Sequence, residues 1–442
     1  MSRLSTGLAM LIGLSMVAST VLGYAEPPAP QLITLTLDQA KAMALENNKQ
    51  LQLARLNVGE KEYVKRAARS DYFPKLIGSA AYLHFNEDLG TVLASRGRSL
   101  GGATIGRNGR IQIPTVNVPG RAVAASVINQ DTSYGMLMAV QPITKLIAVS
   151  AAVDLAQADQ NIAAAQLDEG TREVLSGVTQ CFYGIAAARR IKAALTQQQE
   201  ALAPLARSQP TPELRLGLLE LRKGLVGADK QLADLLDLLK QLLGLPPCTV
   251  IELVEPVLQP LAITCEEDAA QRAVQNNPKI IEAEQNITKA RAGLKVARLD
   301  YVPDVYVFGL GITQSAADYI PSDFAAIGVS ASYTFVDWGK RKNVMFQREA
   351  QIALAMQNVE VMAESIRADA RKAFTACKQA EEALAIAKET LEIRAEAAKA
   401  AQGMPATMAA QAAAAKAQLD LLQTEVDYKI AHAKLSALVG NP

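Results

Sequence analysis

Two stretches of the chain place apolar side chains seven residues apart, and each ends on nearly the same tetrapeptide. The first ends on DYFP, residues 71–74, and the second on DYVP, residues 300–303. Large apolar residues on one line and alanines on a neighbouring line are typical of closely packed, coiled-coil-like helices. Proline lacks an N–H and disfavours helix in the residue before it. Pro74 and Pro303 are therefore predicted to end two long, uninterrupted helices.

Alternating apolar and small residues follow each proline, which predicts strands. The predicted strands are about 76–86 and 133–141 in the first half, and about 305–314 and 327–335 in the second. The last strand alternates most clearly, with Ile327 and Val329 on an apolar face and Ser330 on a small, polar one. In a membrane sheet, the apolar face is expected to face lipid and the polar face the lumen. His84 shares a strand face with Gly78, and we expect it to face water in the lumen.

A long helix follows each predicted strand pair and then turns back on itself. The first helical hairpin is predicted over 144–243 and the second over 336–439. The predicted turns contain Pro210 and Pro212 in the first hairpin, and Gly403 and Pro405 in the second. The leading helix of the first hairpin would be about 88 Å long. A helix of that length is far longer than the helices of an ordinary globular domain.

The two halves of the chain also match each other. Sliding residues 37–76 onto 266–305 makes eleven of forty positions identical without a gap. The same order of elements then occurs twice, over 26–250 and over 264–442: helix, strand, strand, long helix, turn, helix. A proline-rich linker over 251–263 joins the two. We therefore predict a two-fold internal repeat in a mainly α-helical chain with a four-strand β contribution.

Residues 1–25 have the pattern of a signal peptide. Arg3 precedes an apolar run over 8–22, and Gly23 and Ala25 suit a cleavage site. A membrane anchor is the alternative, but the run is shorter than the roughly 20 residues that span a bilayer. No long apolar run follows. We therefore expect an exported chain that would insert into a membrane only through strands.

Composition and charge argue against several classes of function. The 442 residues include 45 basic and 44 acidic ones, so the chain has no excess of positive charge that would attract nucleic acid. His84 and His432 are too few and too scattered for a metal site or an acid–base pair. The glycine cluster over 101–106 lacks the strand and helix that a phosphate-binding loop needs. We predict no enzyme activity, no cofactor and no metal.

Two cysteines flank the predicted linker. An exported chain meets an oxidising compartment, so Cys248 and Cys265 are candidates for a disulfide. It would close a loop of about 17 residues and add about 3 kcal/mol of stability. Two reduced thiols are the alternative, because sequence does not show whether the Cα atoms approach each other. Cys181 and Cys377 lie in the long helices and are expected to be packed small residues.

The first strand pair is joined by a long loop, predicted over 87–132. It carries five arginines: Arg96, Arg98, Arg107, Arg110 and Arg121. On the outside of a membrane they would pair with lipopolysaccharide phosphates. A solvated glycine-rich loop is the alternative, and the composition favours it.

Four strands cannot form a membrane barrel alone. Each is long enough to cross a bilayer when tilted, but the smallest barrels use about eight strands. Open sheet edges are not tolerated in lipid. The chain must therefore pool its strands with copies of itself. Three copies, giving twelve strands, are the simplest closure, and the helices would continue the tube away from the membrane.

This order of elements resembles the TolC-like outer membrane efflux proteins. The resemblance rests on the pattern from Ala40 to Asn47, the breaks at Pro74 and Pro303, and the two-fold repeat. It implies a homotrimer with a barrel in the outer membrane and a helical tunnel in the periplasm. The implied partners are outer membrane lipid, a periplasmic adaptor (membrane fusion) protein and an inner-membrane RND, MFS or ABC transporter. The implied function is a passive duct for efflux or type I secretion.

The sequence departs from the family at the helical tips. Members often carry Gly-x-x-Ser/Thr-x-x-Asp there, whereas this chain has Ala409 where the Asp would fall. The resemblance therefore does not carry over an acidic gate, and the alanine-rich run over 395–417 predicts a narrow helix–helix seam instead. A periplasmic coiled-coil scaffold that never inserts is the alternative function. The alternating strands argue against it.

Overall fold

The computed structural model describes most of the chain after the predicted signal peptide. The described residues are 32–87, 89–95, 104–105, 111–112, 122–208, 211–254, 263, 265–275, 277–317, 320–401 and 404–440. The signal peptide, Pro210, Gly403 and the five arginines of the first loop lie outside them. Among the described helices, none combines the length and the apolar character needed to cross a membrane.

Helices dominate the described residues. The helices are α1 (Leu37–Asn47), α2 (Lys49–Ser70), α3 (Leu146–Ser208), α4 (Pro212–Leu243), α5 (Glu266–Gln275), α6 (Pro278–Leu299), α7 (Lys340–Ala400) and α8 (Met404–Val439). The strands are β1 (Leu32–Thr36), β2 (Lys75–His84), β3 (Leu89–Ser95), β4 (Thr104–Ile105), β5 (Ile111–Gln112), β6 (Ala122–Ile128), β7 (Asp131–Pro142), β8 (Val250–Val254), β9 (Asp304–Gln314) and β10 (Asp323–Ser332). The predicted mainly α-helical class with a small β contribution is confirmed.

The four predicted strands form one antiparallel sheet in the order β10-β9-β7-β2. The largest shift from the predicted bounds is in β10, which begins at Asp323 and ends at Ser332. The helices that continue these strands, α7, α6, α3 and α2, pack side by side in the same order. The protomer is thus an open wall of four strands continued by four helices. One edge of the wall is β10 with α7, and the other is β2 with α2.

The predicted first loop is partly regular. Within 87–132, β3 pairs antiparallel with β6, and the short strands β4 and β5 pair with each other. The glycine-rich composition of this segment did not indicate these strands, so its prediction as one long loop is wrong in part.

The first heptad stretch is two helices rather than one. α1 and α2 meet at Asn48, whose backbone is extended, with φ −65° and ψ 121°. Its side chain accepts hydrogen bonds from the N–H groups of Gln50 and Leu51, at 2.9 and 3.1 Å, and so caps α2. Asn277 caps α6 in the same way through the N–H of Lys279. The prediction of uninterrupted helix is therefore wrong here, because the apolar pattern continues across a break that the asparagine side chain stabilises.

The largest core lies beside a second, smaller sheet. β1 pairs in parallel with β8, which occupies the first residues of the predicted linker. The buried side chains that form the core come from β1, α1, α2, α3, α4 and β8; the largest of them are Leu51, Val178, Phe182, Ile185, Leu239 and Leu243. The linker prediction over 251–263 missed this strand, since five residues next to prolines carry too little periodicity to identify it.

The two helical hairpins have nearly the predicted bounds. α3 has 63 residues and α7 has 61, so each is about 90 Å long. α3 ends at Ser208 and includes Pro204. α4 packs on α3, α8 packs on α7, and α8 also contacts α3, so the hairpins lie side by side. The two-fold repeat behind this order stays a prediction.

Candidate functional site

The two predicted helix breaks each lie directly before a strand. Pro74 immediately precedes β2, and Pro303 immediately precedes β9. Thr144, between β7 and α3, donates a hydrogen bond of 2.8 Å to the carbonyl oxygen of Pro303. The same hydroxyl accepts from the N–H of Val305, at 3.1 Å. These hydrogen bonds join the β7–α3 junction to the neighbouring α6–β9 junction.

The helical tips are described only in part. Pro212 is the first residue of α4, and the Thr211 side chain caps that helix by accepting from a backbone N–H three residues later, at 3.4 Å. Pro405 lies in the first turn of α8. Pro210 and Gly403 lie outside the described residues. The role of these positions as tip turns stays a prediction.

Both edges of the sheet lack a partner within the protomer. β2 pairs only with β7, and β10 pairs only with β9. The outward backbone groups of each edge strand therefore have no strand to bond to among the described residues. Such an edge is a template for another chain, and in lipid it must be paired. The sheet is incomplete without a further strand at each edge.

Exposed apolar residues continue both edges along the helices. Leu56 and Tyr63 of α2 are more than half exposed and lie seven residues apart. Leu354 and Val361 of α7, at the opposite edge, are equally exposed and have the same spacing. Two further exposed pairs share the spacing: Leu219 and Val226 of α4, and Ile386 and Ile393 of α7. A seven-residue apolar repeat that is left exposed is half of a coiled-coil seam.

The strand register defines two faces of the sheet. Directly opposed residues share a face, and the row Ile327, Gly309, Ala139, Leu76 crosses all four strands. We call this side, which also carries Val329, the Val329 face. Ile327 is 85% exposed and Leu76 is 73% exposed, because their row neighbours are only glycine and alanine. The opposite side, which carries Ser330, is the Ser330 face.

His84 lies on the Val329 face as well, eight residues along β2 from Leu76. The predicted lumen position of His84 and the predicted lipid position of Val329 therefore cannot both hold. The error arises because alternation was applied to each strand alone, and only the register relates the strands to each other. His84 lies at the far end of β2, where its Nδ1 and the Tyr82 hydroxyl each lie 2.7 Å from Oδ1 of Asp131.

Polar contacts join the two halves of the chain inside the wall. The α6 residue Lys279 pairs with Glu169 of α3 at 2.8 Å, and Lys289 pairs with Asp159 at 2.7 Å. The hydrogen bond that Lys279 donates to Glu169 raises the pKa of Lys279. Exposed ion pairs of this kind contribute little stability, but they favour the alignment of α6 and α3 in which opposite charges are adjacent. The seam inside the protomer is thus polar, whereas the open edges are apolar.

A second charged contact joins α3 to α8. The Glu425 carboxylate lies 3.4 Å from Arg190 of α3 and 2.7 Å from Lys429 of its own helix. Burial acts to raise the pKa of Glu425, but the hydrogen bond and charge of Lys429 and the charge of Arg190 outweigh it, so the pKa is lowered. The carboxylate is therefore held ionised where the two hairpins meet.

The cysteines divide into two pairs. Cys248 and Cys265 are exposed at the two ends of the linker, and their disulfide stays a prediction. Cys181 is buried and Cys377 partly buried in the long helices. Burial raises the pKa of the Cys181 thiol to about 11, which makes it a poor nucleophile. Over the described ranges, no group of three or more His, Cys, Asp or Glu side chains is arranged to hold a metal ion.

These features together describe an open wall of strands and helices with unpaired strand edges. The sequence profile of the family described as outer membrane efflux protein matches residues 269–441. The second predicted repeat of the chain is therefore similar to the outer membrane efflux proteins. No curated protein sequence matches the chain.

Solved outer membrane channels share the fold of this chain. The Neisseria gonorrhoeae MtrE channel in its open state is 15% identical, with a TM-score of 0.71, over 92% of this chain and 89% of that one. The Campylobacter jejuni CmeC channel is 15% identical, with a TM-score of 0.68, over 92% and 85%. A membrane protein from Pseudomonas aeruginosa is 16% identical, with a TM-score of 0.70, over 91% and 93%. The likeness therefore covers both halves of the chain, including the half that precedes the family match.

Proposed function

We propose that this protein is the outer membrane channel of a tripartite efflux or type I secretion system. It would be a passive trimeric duct, placed in the outer membrane with a periplasmic extension, for small molecules or proteins. The observation that carries the proposal is the open wall, in which unpaired strand edges are continued by apolar helix edges. The match of residues 269–441 to the efflux family and the fold of solved outer membrane channels support it. A catalytic role has no support from the family, whose described function is efflux.

Closure into a ring follows from the two different edges. Because the β10–α7 edge and the β2–α2 edge are unlike surfaces, copies would associate head to tail and close by rotation. Three copies bring twelve strands, which exceeds the minimum for a membrane barrel. The exposed seven-residue repeats on both edges support coiled-coil packing of α7 against the neighbouring α2 and α4. Twelve helices would then continue the barrel as a tunnel.

The Val329 face would contact lipid in this ring. Its large apolar side chains, Ile327 and Leu76 among them, are exposed in the protomer. Tyr333 and Phe335 follow in the same alternation where the strand meets the helix, and Phe335 is largely exposed. Trp338, two residues beyond a further valine, is also exposed, with a left-handed φ of 55°. Aromatic residues at the end of an apolar band mark the membrane interface of outer membrane barrels.

The helical tips would meet the partners. MtrE and CmeC are described as outer membrane channels, and the family resemblance suggests a periplasmic adaptor and an RND, MFS or ABC transporter for this chain. The first turn of α8 has no acidic residue. Closure of the tip would then rest on packed alanine helices rather than on a ring of carboxylates. Adaptor docking would open this seam.

Detergent extraction and bilayer recording test the proposal. The full-length protein should fractionate with outer membranes, run as a heat-modifiable trimer and form water-filled pores in planar bilayers. A monomer or helical oligomer that stays with the periplasmic fraction and gives no conductance would instead identify a coiled-coil scaffold.

A further inference from the structure

Two constant shifts in residue number relate the strands in the two halves of the chain. The match of 37–76 with 266–305 is a shift of 229 residues, and it carries β2 onto β9. A shift of 192 residues carries Phe182 of α3 onto Phe374 of α7, and it also carries β7 onto β10. The two shifts differ because the first strand pair has the longer loop, so each shift applies on its own side of that loop.

The two shifts reproduce a strand register that the structure contains. Ala81 of β2 lies opposite Tyr134 of β7. The shift of 229 carries Ala81 onto Leu310, and the shift of 192 carries Tyr134 onto Ala326. Leu310 and Ala326 are directly opposed in β9 and β10. The register of one strand hairpin can therefore be calculated from the other.

The pairing between the two hairpins has its counterpart at the open edges. β7 pairs with β9, and Met138 lies opposite Leu310. The same shifts carry β9 back onto β2 and β7 forward onto β10, which are the two unpaired edge strands, and they carry Leu310 onto Ala81 and Met138 onto Ser330. Within one protomer these edges are about 14 Å apart, at three strand spacings. The counterpart pairing therefore needs a second copy of the chain.

We propose that β2 of one copy pairs antiparallel with β10 of the next copy, in the register that places Ala81 opposite Ser330. This inference rests on the proposed function, because the pairing closes the proposed ring. A slip of one residue is excluded, since it would turn the two strands to opposite faces of the sheet. The nearest alternative is a slip of two residues, which places Ser79 opposite Ser330.

The inferred register gives a partner to the end of a strand that lacks one in the protomer. The alternation that predicts a strand over 327–335 continues beyond Ser332, the last residue of β10. β10 ends there because its partner β9 begins at Asp304. In the inferred register, the ten residues of β2 lie opposite 327–336 of the next copy. The pairing between copies thus covers the whole alternating stretch.

The same register places an aromatic ring beside a glycine. Tyr333 would lie opposite Gly78 of the neighbouring copy, where a Cβ would meet no atom of the protomer within 4 Å. The Tyr333 hydroxyl accepts a hydrogen bond of 2.9 Å from Arg341, so the ring is already held in position. Such a pair occurs inside the protomer, where Phe308 lies opposite Gly328. An aromatic ring that covers a glycine on an adjacent strand helps to fix the register.

The helices beside these strands agree with the register. Inside the protomer, Asn161 of α3 donates a hydrogen bond of 3.1 Å to Gln285 of α6. The two shifts carry this pair onto Ala353 of α7 and Leu56 of α2. Leu56 would therefore meet the next copy beside Leu354, and both leucines are exposed in the protomer. A polar contact within the protomer thus corresponds to an apolar contact between copies.

The proposed pair is suited to cross-linking by a disulfide. The N–H of Ile143 donates to the carbonyl oxygen of Val305 at 2.8 Å, five residues along each strand from Met138 and Leu310. Hydrogen-bonded pairs recur at every second residue of an antiparallel ladder, so Met138 and Leu310 form a non-hydrogen-bonded pair. Their counterparts between copies would be one too. Side chains are closest in such pairs, about 4.5 Å between Cα atoms, which is within the range of a disulfide.

The double variant Ala81→Cys, Ser330→Cys tests the register in the full-length protein in outer membranes. Oxidation should join each copy to the next, so boiled samples without reductant should contain covalent dimer and trimer, and reductant should return them to monomer. Ser79→Cys, Ser330→Cys is the matched control and should stay monomeric, because its two cysteines are opposed only after the two-residue slip. Wild-type protein and the three single variants show what the native cysteines contribute.

Each outcome separates the inference from the proposed function. Cross-linking of the control pair in place of the first pair, or equal cross-linking of both, overturns the inferred register. If neither pair cross-links in protein that forms heat-modifiable trimers and pores, the β2–β10 pairing is overturned while the proposed function stands. Wild-type protein that forms neither trimer nor pore overturns the proposed function, and the pairing between copies with it.

Discussion

Nδ2 of Asn48 donates a hydrogen bond of 3.0 Å to the carbonyl oxygen of Leu242, 194 residues away in the chain. Because Oδ1 of the same side chain caps α2, one buried amide both breaks the first helix and holds the end of α4. Gly244 completes the junction with a left-handed φ of 66°, and a Cβ there would lie 2.7 Å from the carbonyl oxygen of Asn47. The α1–α2 break and the end of the α3–α4 hairpin are thus one structural unit.

Replacing Asn48 should destabilise this unit. Asn48→Ala removes a helix cap and the donor to Leu242, and the two losses together should cost about 2–3 kcal/mol. Asn48→Ser is the matched control, because its hydroxyl can still cap α2 and it loses only the amide donor, so its cost should be smaller. Thermal unfolding of the purified protein measures both. Equal midpoints for the wild type and Asn48→Ala would show that the amide carries no such role.

The α3–α8 contact should respond to acid. The folded pKa of Glu425 is lowered, so the unfolded chain binds more protons below the ordinary glutamate pKa of about 4.3. The stabilisation from Glu425 is therefore fully present above that pKa and is lost as the pH falls through the lower folded value. We expect Glu425→Gln to lower the unfolding temperature at pH 7 and to have little effect near pH 3 (well below about 4.3). An equal effect at both values would exclude an ionised Glu425 as the cause.

The sequence was sufficient for the elements whose signal is long and periodic. The two long helices α3 and α7 were predicted nearly to their ends, and the prolines at 74 and 303 predicted where strands begin. The break at Asn48 was not predicted, although identical asparagines at 47–48 and 276–277 were a usable signal. A helix cap depends on one side chain, whereas the seven-residue periodicity is a property of many residues. The pattern therefore did not reveal the break. The predicted facings of His84 and Val329 also conflict, because face assignments need the pairing between strands, which no single strand contains.

The contact of the Val329 face with lipid can be tested by a pair of adjacent substitutions. Val329→Arg places a charge on the proposed lipid face and should weaken insertion by about 2–4 kcal/mol if it lies near the bilayer midplane. Ser330→Arg, on the next residue, points to the proposed lumen and should insert normally. The readout is the amount of heat-modifiable trimer in outer membrane fractions. Greater damage from Ser330→Arg would reverse the two faces.

The linker disulfide can be tested by counting thiols. If Cys248 and Cys265 are bridged, protein unfolded without reductant should label at two cysteines, and reduced, unfolded protein at all four. Unfolding is needed because burial keeps Cys181 poorly reactive in the native state. The double variant Cys248→Ser, Cys265→Ser is the control and should label at two cysteines with or without reductant. Labelling of all four in unreduced wild type would rule out the bridge.

In the proposed trimer, the interface would join residues at similar heights of the wall. Leu354 lies fourteen residues after the first residue of α7, and Leu56 lies fourteen residues before the last residue of α2. Those ends are the ones nearer the sheet, so at 1.5 Å per residue each leucine lies about 21 Å from the sheet-side end of its helix, on opposite edges. In a closed ring, Leu354 of one protomer would therefore face Leu56 of the next.

A charge at this contact should disrupt the ring. Leu354→Glu should cost about 2 kcal/mol at each of the three interfaces, because it exposes the apolar partner and buries a carboxylate without a pair. Met356→Glu, two residues on, lies about 200° around the helix and is the matched control. Size-exclusion chromatography in detergent should show dissociation of the first variant only, and adding Leu56→Lys to Leu354→Glu should restore the trimer by pairing the charges. Trimers that survive Leu354→Glu but dissociate with Met356→Glu would place the interface on the other side of α7.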